Sequence, residues 1–133
     1  MPHIPQNMND AVEMGTIPEG RYRLRLERTS DLQADEEEPE KKYIDWTFVV
    51  AEGEFEGKQI RHRTYVALAD PGKAAVARGM ANLLLEALGI EYDESGFSTE
   101  DGYGEEVRAV VSTQESTKTQ GREYNSIDTF IKA

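Results

Sequence analysis

In the stretch GKQIRHRTYV, Arg61, Arg63 and Tyr65 alternate with Ile60, His62, Thr64 and Val66. An extended chain therefore puts two guanidinium groups and a phenol ring on one face. Guanidinium pairs with phosphate oxygens, often through two hydrogen bonds, and an aromatic face accepts another flat ring, a nucleobase included. The earlier stretch KKYIDWTFVVAEG alternates in the same way, with Ile44, Trp46, Phe48 and Val50 on one side and Tyr43, Asp45 and Thr47 on the other. Paired in a sheet, the two stretches would gather Tyr43, Thr47, Arg61, Arg63 and Tyr65 on a common surface. Tyr43 and Tyr65 would also support the sheet as a cross-strand pair. Trp46 has the largest ring, but its parity with Ile44 and Phe48 assigns it to the core. His62 shares the inward parity and reads as a structural histidine.

Further cations flank this pair of segments. IPEGRYRLRLERTS places Arg21, Arg23 and Arg25 opposite Tyr22, Leu24 and Leu26, so they can extend the positive surface or neutralise neighbouring acids. Lys118, Arg122 and Tyr124 fall in or beside TKTQGREYN, a turn-rich link between two later strands.

These cations stand in a chain of 133 residues with 26 acids, 15 Lys and Arg, and a net charge of -11. Bulk acidity argues against a polyanionic partner. The acids, however, are segregated. Residues 31–45 hold seven acids against two lysines, and residues 91–106 hold seven acids and no base, so the two blocks carry -12 and the rest of the chain nets +1. Such runs read as solvated loop surface, and neither has the alternating oxygen ligands, central glycine and final glutamate of a calcium loop. With no cysteine and only His3 and His62, a disulfide framework, a thiolate metal site and a zinc centre are all excluded. A phosphate loop and a nucleophile elbow are absent as well, so the expectation is a non-catalytic protein without cofactor or metal. No run reaches the roughly 18 apolar residues of a membrane span, and MPHIPQNMNDAVEMG lacks the pattern of a signal peptide. A cytoplasmic protein with no membrane partner is expected.

The elements that must position these residues follow from periodicity. Three strands come first, starting near Tyr22, Tyr43 and Gln59 and linked in antiparallel order. A helix follows, with Asp70 as N-cap, Pro71 at its first position and Gly89 as the αL residue past its end. Val76, Met80, Leu83, Leu84, Ala87 and Leu88 have the spacing of its buried stripe, with Gly79 a weak point. VRAVVSTQES and SIDTFIKA are the last two strands. An all-β fold of three strands, a helix and two strands is the order of the five-stranded Greek-key barrel called the OB-fold. Residues 17–133 would form that domain. Residues 1–16 would be a flexible arm or an edge-strand contact to a neighbour, the latter giving a homodimer.

The pieces IPEGRYRLRLE, KKYIDWTFVVAEGEFEGKQI, ANLLLEALGI and REYNSIDTFI, which cover most of residues 17–131, resemble small phage and prophage OB-fold proteins that bind single-stranded DNA. The resemblance implies a role in replication or recombination. Many single-strand binders recruit replication or recombination proteins through an acidic tail. This chain closes on Phe130-Ile131-Lys132-Ala133, so recruitment would fall to the acidic loops. The competing expectation is an acidic interaction module, or DNA mimic, that occupies the basic groove of a DNA-processing enzyme.

Overall fold

Alternating apolar side chains produce the strands that the periodicity predicts. The computed structural model describes His3, Pro5 and residues 16–115 and 123–133. Its main sheet holds β1 (Gly20–Thr29), β2 (Gln33–Ala34), β3 (Lys42–Val50), β4 (Gln59–Ala67), β7 (Glu106–Glu115) and β8 (Glu123–Lys132). A small hairpin, β5 (Tyr92–Asp93) with β6 (Gly96–Phe97), lies between the helix α1 (Pro71–Leu88) and β7. All pairings are antiparallel, and the long strands run in the order β4, β3, β1, β7, β8. β4 occupies one edge of β3 along its length, so two-residue β2 resumes the β1 ladder on the other edge after a break at 30–32.

Among the described residues β4 and β8 do not pair, so the sheet is not closed into the barrel that the element order implies. Side chains, not backbone hydrogen bonds, meet between the two strands. His62 of β4 meets the ring of Phe130 on β8 edge to face, with centroids 4.9 Å apart, and α1 packs against both strands. The result is a groove of about 600 Å³, bordered by His62, Met80, Leu83, Phe130 and Ile131.

Leu24, Leu26, Trp46, Phe48, Val50, Val107 and Val111 are buried completely between the curved sheet and α1. The Trp46 indole N–H donates to the Thr64 hydroxyl at 2.8 Å, so the one polar atom of that ring is satisfied within the core. The helix ends are as the sequence implies. The Asp70 carboxylate accepts from the N–H groups of Gly72 and Lys73, Pro71 opens the helix, and Gly89 closes it at φ 75°. Its buried face matches the expected stripe at Leu84, Ala87 and Leu88 and departs from it at Val76, Met80 and Leu83. Ala74, Ala81, Leu84, Leu85, Ala87 and Leu88 face the core, whereas Val76, Met80 and Leu83 are 65%, 65% and 63% exposed. Two apolar faces share this helix, and the sheet accepts the one that carries alanines in its first half, because small residues let the helix approach the strands closely.

The acidic stretch 91–106 is more than solvated loop. It contains the small hairpin and a 3₁₀ turn at Thr99–Gly102, and the Tyr103 hydroxyl accepts from the Thr29 N–H at the end of β1. Gly102 is buried, and a Cβ added there would lie 2.7 Å from Ile90 Cδ1 and 3.3 Å from Leu26 Cδ2. No described helix is long and apolar enough to cross a membrane.

Candidate functional site

The outer face of β1, β3 and β4 is built in rows across the strands. Tyr43 pairs with Tyr65, Asp45 with Arg63, Thr47 with Arg61 on one side and Arg28 on the other, and Val49 with Gln59 and Arg25. The Tyr43 and Tyr65 rings meet edge to face at 6.0 Å. Arg63 lies over the Tyr43 ring at 3.8 Å, and its Nε and Nη2 donate to the two carboxylate oxygens of Asp45 at 2.7 and 3.2 Å. Lys41 stands 5.7 Å from the centre of the Tyr65 ring. The structure thus gathers Tyr43, Arg61, Arg63 and Tyr65 as their alternation implies, and pairs Arg63 with Asp45, the last acid of the first block, which shares that face.

Thr47 has the expected parity but is only 8% exposed, so it is not an open contact on this surface. It sits in register between Arg28 and Arg61, whose longer side chains flank the small residue from both sides. Arg28 is the residue that alternation misses. Counting by twos from Leu24 and Leu26 sends it inward, but the register shifts between Leu26 and Arg28, and the extra residue Glu27 brings Arg28 level with Thr47. The signal available in the sequence was the broken alternation itself, Glu27 and Arg28 being consecutive charges where an apolar residue is due.

The other arginines of β1 divide. Arg25 shares the outer face, in register with Val49. Arg23 contacts Glu106 at 3.2 Å and Glu52 at 3.6 Å, so its charge is answered by carboxylates from the start of β7 and from the β3–β4 connection. Arg21 stands opposite Val110 of β7, away from the β3–β4 pair. Tyr124 is exposed and its hydroxyl donates to Gln114 across the β7–β8 ladder, beyond the Gly20 end of β1. Tyr43 and Tyr65 lie past the Thr29 end, so the length of β1, roughly 30 Å at 3.3 Å per residue, separates Tyr124 from that pair. Lys118 and Arg122 lie outside the described residues, as does the expected arm at 1–16 apart from His3, Pro5 and Thr16.

Charge on this face is only partly answered. The Asp45 carboxylate holds the Arg63 guanidinium protonated well above its ordinary range. Arg28 has a single contact to the adjacent Glu27 at 3.1 Å, and among the described residues Arg25 and Arg61 form no ion pair. Behind the face, burial lowers the His62 pKa to about 4, so that imidazole is neutral at physiological pH and supplies no cation. A face with unanswered guanidinium groups beside half-buried aromatic rings is equipped to hold an anion that also carries flat apolar groups.

A search of the curated proteins finds no match to this chain. The family model described as "Protein of unknown function (DUF669)" matches residues 6–133, which takes in every element of the sheet and the helix, and the chain belongs to that family.

Proposed function

We propose that this protein binds single-stranded DNA without catalysis, through the outer face of β3 and β4. The observation that carries the reading is the Tyr43–Tyr65 pair two rows from Arg61, a guanidinium free of ion pairs among the described residues. Rings able to stack on bases contribute roughly 1–3 kcal/mol each, and arginines supply the salt-sensitive attraction to phosphate. The reading takes the sheet as an OB-type barrel opened between β4 and β8; the strand order and the helix beneath those two strands support it. The β1–β3 connection and the root of the β7–β8 hairpin lie at opposite ends of the strands, where they can flank a strand laid across the face. The resemblance to phage single-strand binders supports a role in replication or recombination in the host cytoplasm, with the exposed acids Glu36, Glu37 and Glu40 open to a protein partner.

Anisotropy of labelled oligo(dT) at low salt tests this directly, with duplex DNA as control. Micromolar binding that weakens with salt is expected, each phosphate contact contributing roughly -0.7 to the slope of log affinity on log salt. No binding at micromolar protein would end the proposal. Reversing Arg61 and Arg63 to Glu should abolish binding; a protein that keeps its function with both reversed is the acidic module instead.

A further inference from the structure

Four arginines reach the outer face of β1, β3 and β4, and their surroundings separate them into two kinds. Arg63 is held at both ends of its planar group: two hydrogen bonds to Asp45, and the Tyr43 ring beneath it. Bidentate geometry of this type is the sort of surface pair that persists, and it leaves no net charge for a phosphate. Arg25 and Arg61 meet no carboxylate among the described residues, and Arg28 has one single-atom contact to the neighbouring Glu27, which solvent screens. These three are adjacent in register. Arg28 and Arg61 bracket Thr47 in one row, and Arg25 stands in the next row beside Val49. With strands about 4.8 Å apart, the α-carbons of Arg28 and Arg61 are roughly 10 Å from one another across β3.

We infer that Arg25, Arg28 and Arg61 form the phosphate track of the single-stranded-DNA site, crossing the strands from β4 to β1, and that Arg63 is a positioning residue that holds Tyr43 for stacking. This rests on the DNA-binding reading above and adds to it both Arg28 and a division of roles. The β-bulge at Glu27 is what creates the track, because a regular strand would turn Arg28 into the core side. The small, buried Thr47 keeps the middle of the row low, so a backbone can pass over β3 between the two guanidinium groups.

The two kinds of arginine differ in what salt does to their loss. Single Arg28→Ala and Arg61→Ala variants should each lower the salt slope for oligo(dT) by about 0.7, equivalent to about eightfold weaker binding at 50 mM salt. Removing the neutral pair whole, in the double variant Arg63→Ala/Asp45→Ala, should weaken binding at every salt concentration and leave the slope unchanged, because Asp45 already neutralises the Arg63 charge. Asp45→Asn should steepen the slope by releasing that charge. Arg78→Ala on α1, whose Nη1 contacts the Val66 carbonyl, serves as the control with wild-type slope. Thermal melting of each variant verifies folding. If the wild type binds and Arg28→Ala keeps its slope, the track is wrong while the DNA reading stands. A slope change in the Arg63→Ala/Asp45→Ala double variant equal to that of Arg61→Ala overturns the division of roles. A wild type that binds no oligonucleotide removes the reading on which both rest.

Discussion

Trp46 and His62 stand opposite one another in the β3–β4 ladder, and each shows how one side chain settles its protonation or hydrogen bonding by where it points. The indole N–H of Trp46 has its only partner in the buried Thr64 hydroxyl, so Trp46→Phe leaves that hydroxyl without a donor. A loss of about 1–3 kcal/mol is expected from the orphaned group, beyond the cost of the smaller ring. Urea denaturation of Trp46→Phe, Thr64→Val and the double variant checks this, the double costing less than the sum of the singles. His62 gives a pH signature. Its folded pKa of about 4 lies below the unfolded value near 6.5, so between those values the unfolded chain binds the proton and the folded one does not. Its contribution is therefore complete above pH 6.5 and declines as pH falls towards 4, by up to about 3 kcal/mol. Subtracting the stability-versus-pH curve of His62→Leu from that of the wild type isolates this group from the many acids. Both inward assignments were legible in the alternation, because parity alone decides which face of a strand a side chain takes.

At the scale of the helix, composition and context disagree. Val76, Met80 and Leu83 share the expected stripe with Leu84, Ala87 and Leu88, yet only the last three are buried, and α1 turns Ala74, Ala81 and Leu85 to the core with them. Two overlapping apolar stripes cannot be ranked from spacing alone, since the choice depends on how closely the strands let the helix approach. The difference is measurable. Met80→Gln and Leu83→Gln should change stability by no more than about 0.5 kcal/mol, whereas Leu84→Ala should cost about 2–5 kcal/mol. The caps were readable because they are local. Asp70→Ala removes the acceptor for two backbone N–H groups and should cost about 1 kcal/mol, measured by thermal melting. The bulge at Glu27 is the opposite case, where one extra residue on β1 moves Arg28 to the other face and only pairing with β3 reveals it.

For the molecule as a whole, β4 and β8 each lack a second partner among the described strands, so the sheet is strongest at its centre. β1 and β3 are bonded on both sides, so their amides should be the slowest to exchange with deuterium, and those on the open edge of β8 the fastest of the long strands. The charge map has the same logic. Two blocks carry the acidity, and the arginines collect on the outer face of β1, β3 and β4, so a net charge of -11 coexists with a cationic surface. By itself the sequence determined the five long strands, the helix with its caps, the inward and outward faces of β3 and β4, and the segregation of charge. These follow from period, local hydrogen bonding and composition, which act over a few residues. Only the tertiary structure decided which arginines are answered by carboxylates, which face of α1 is covered, and that β4 and β8 touch through side chains without pairing among the described residues. Those outcomes depend on register and on contacts between segments distant in the chain, and a single inserted residue is enough to change them.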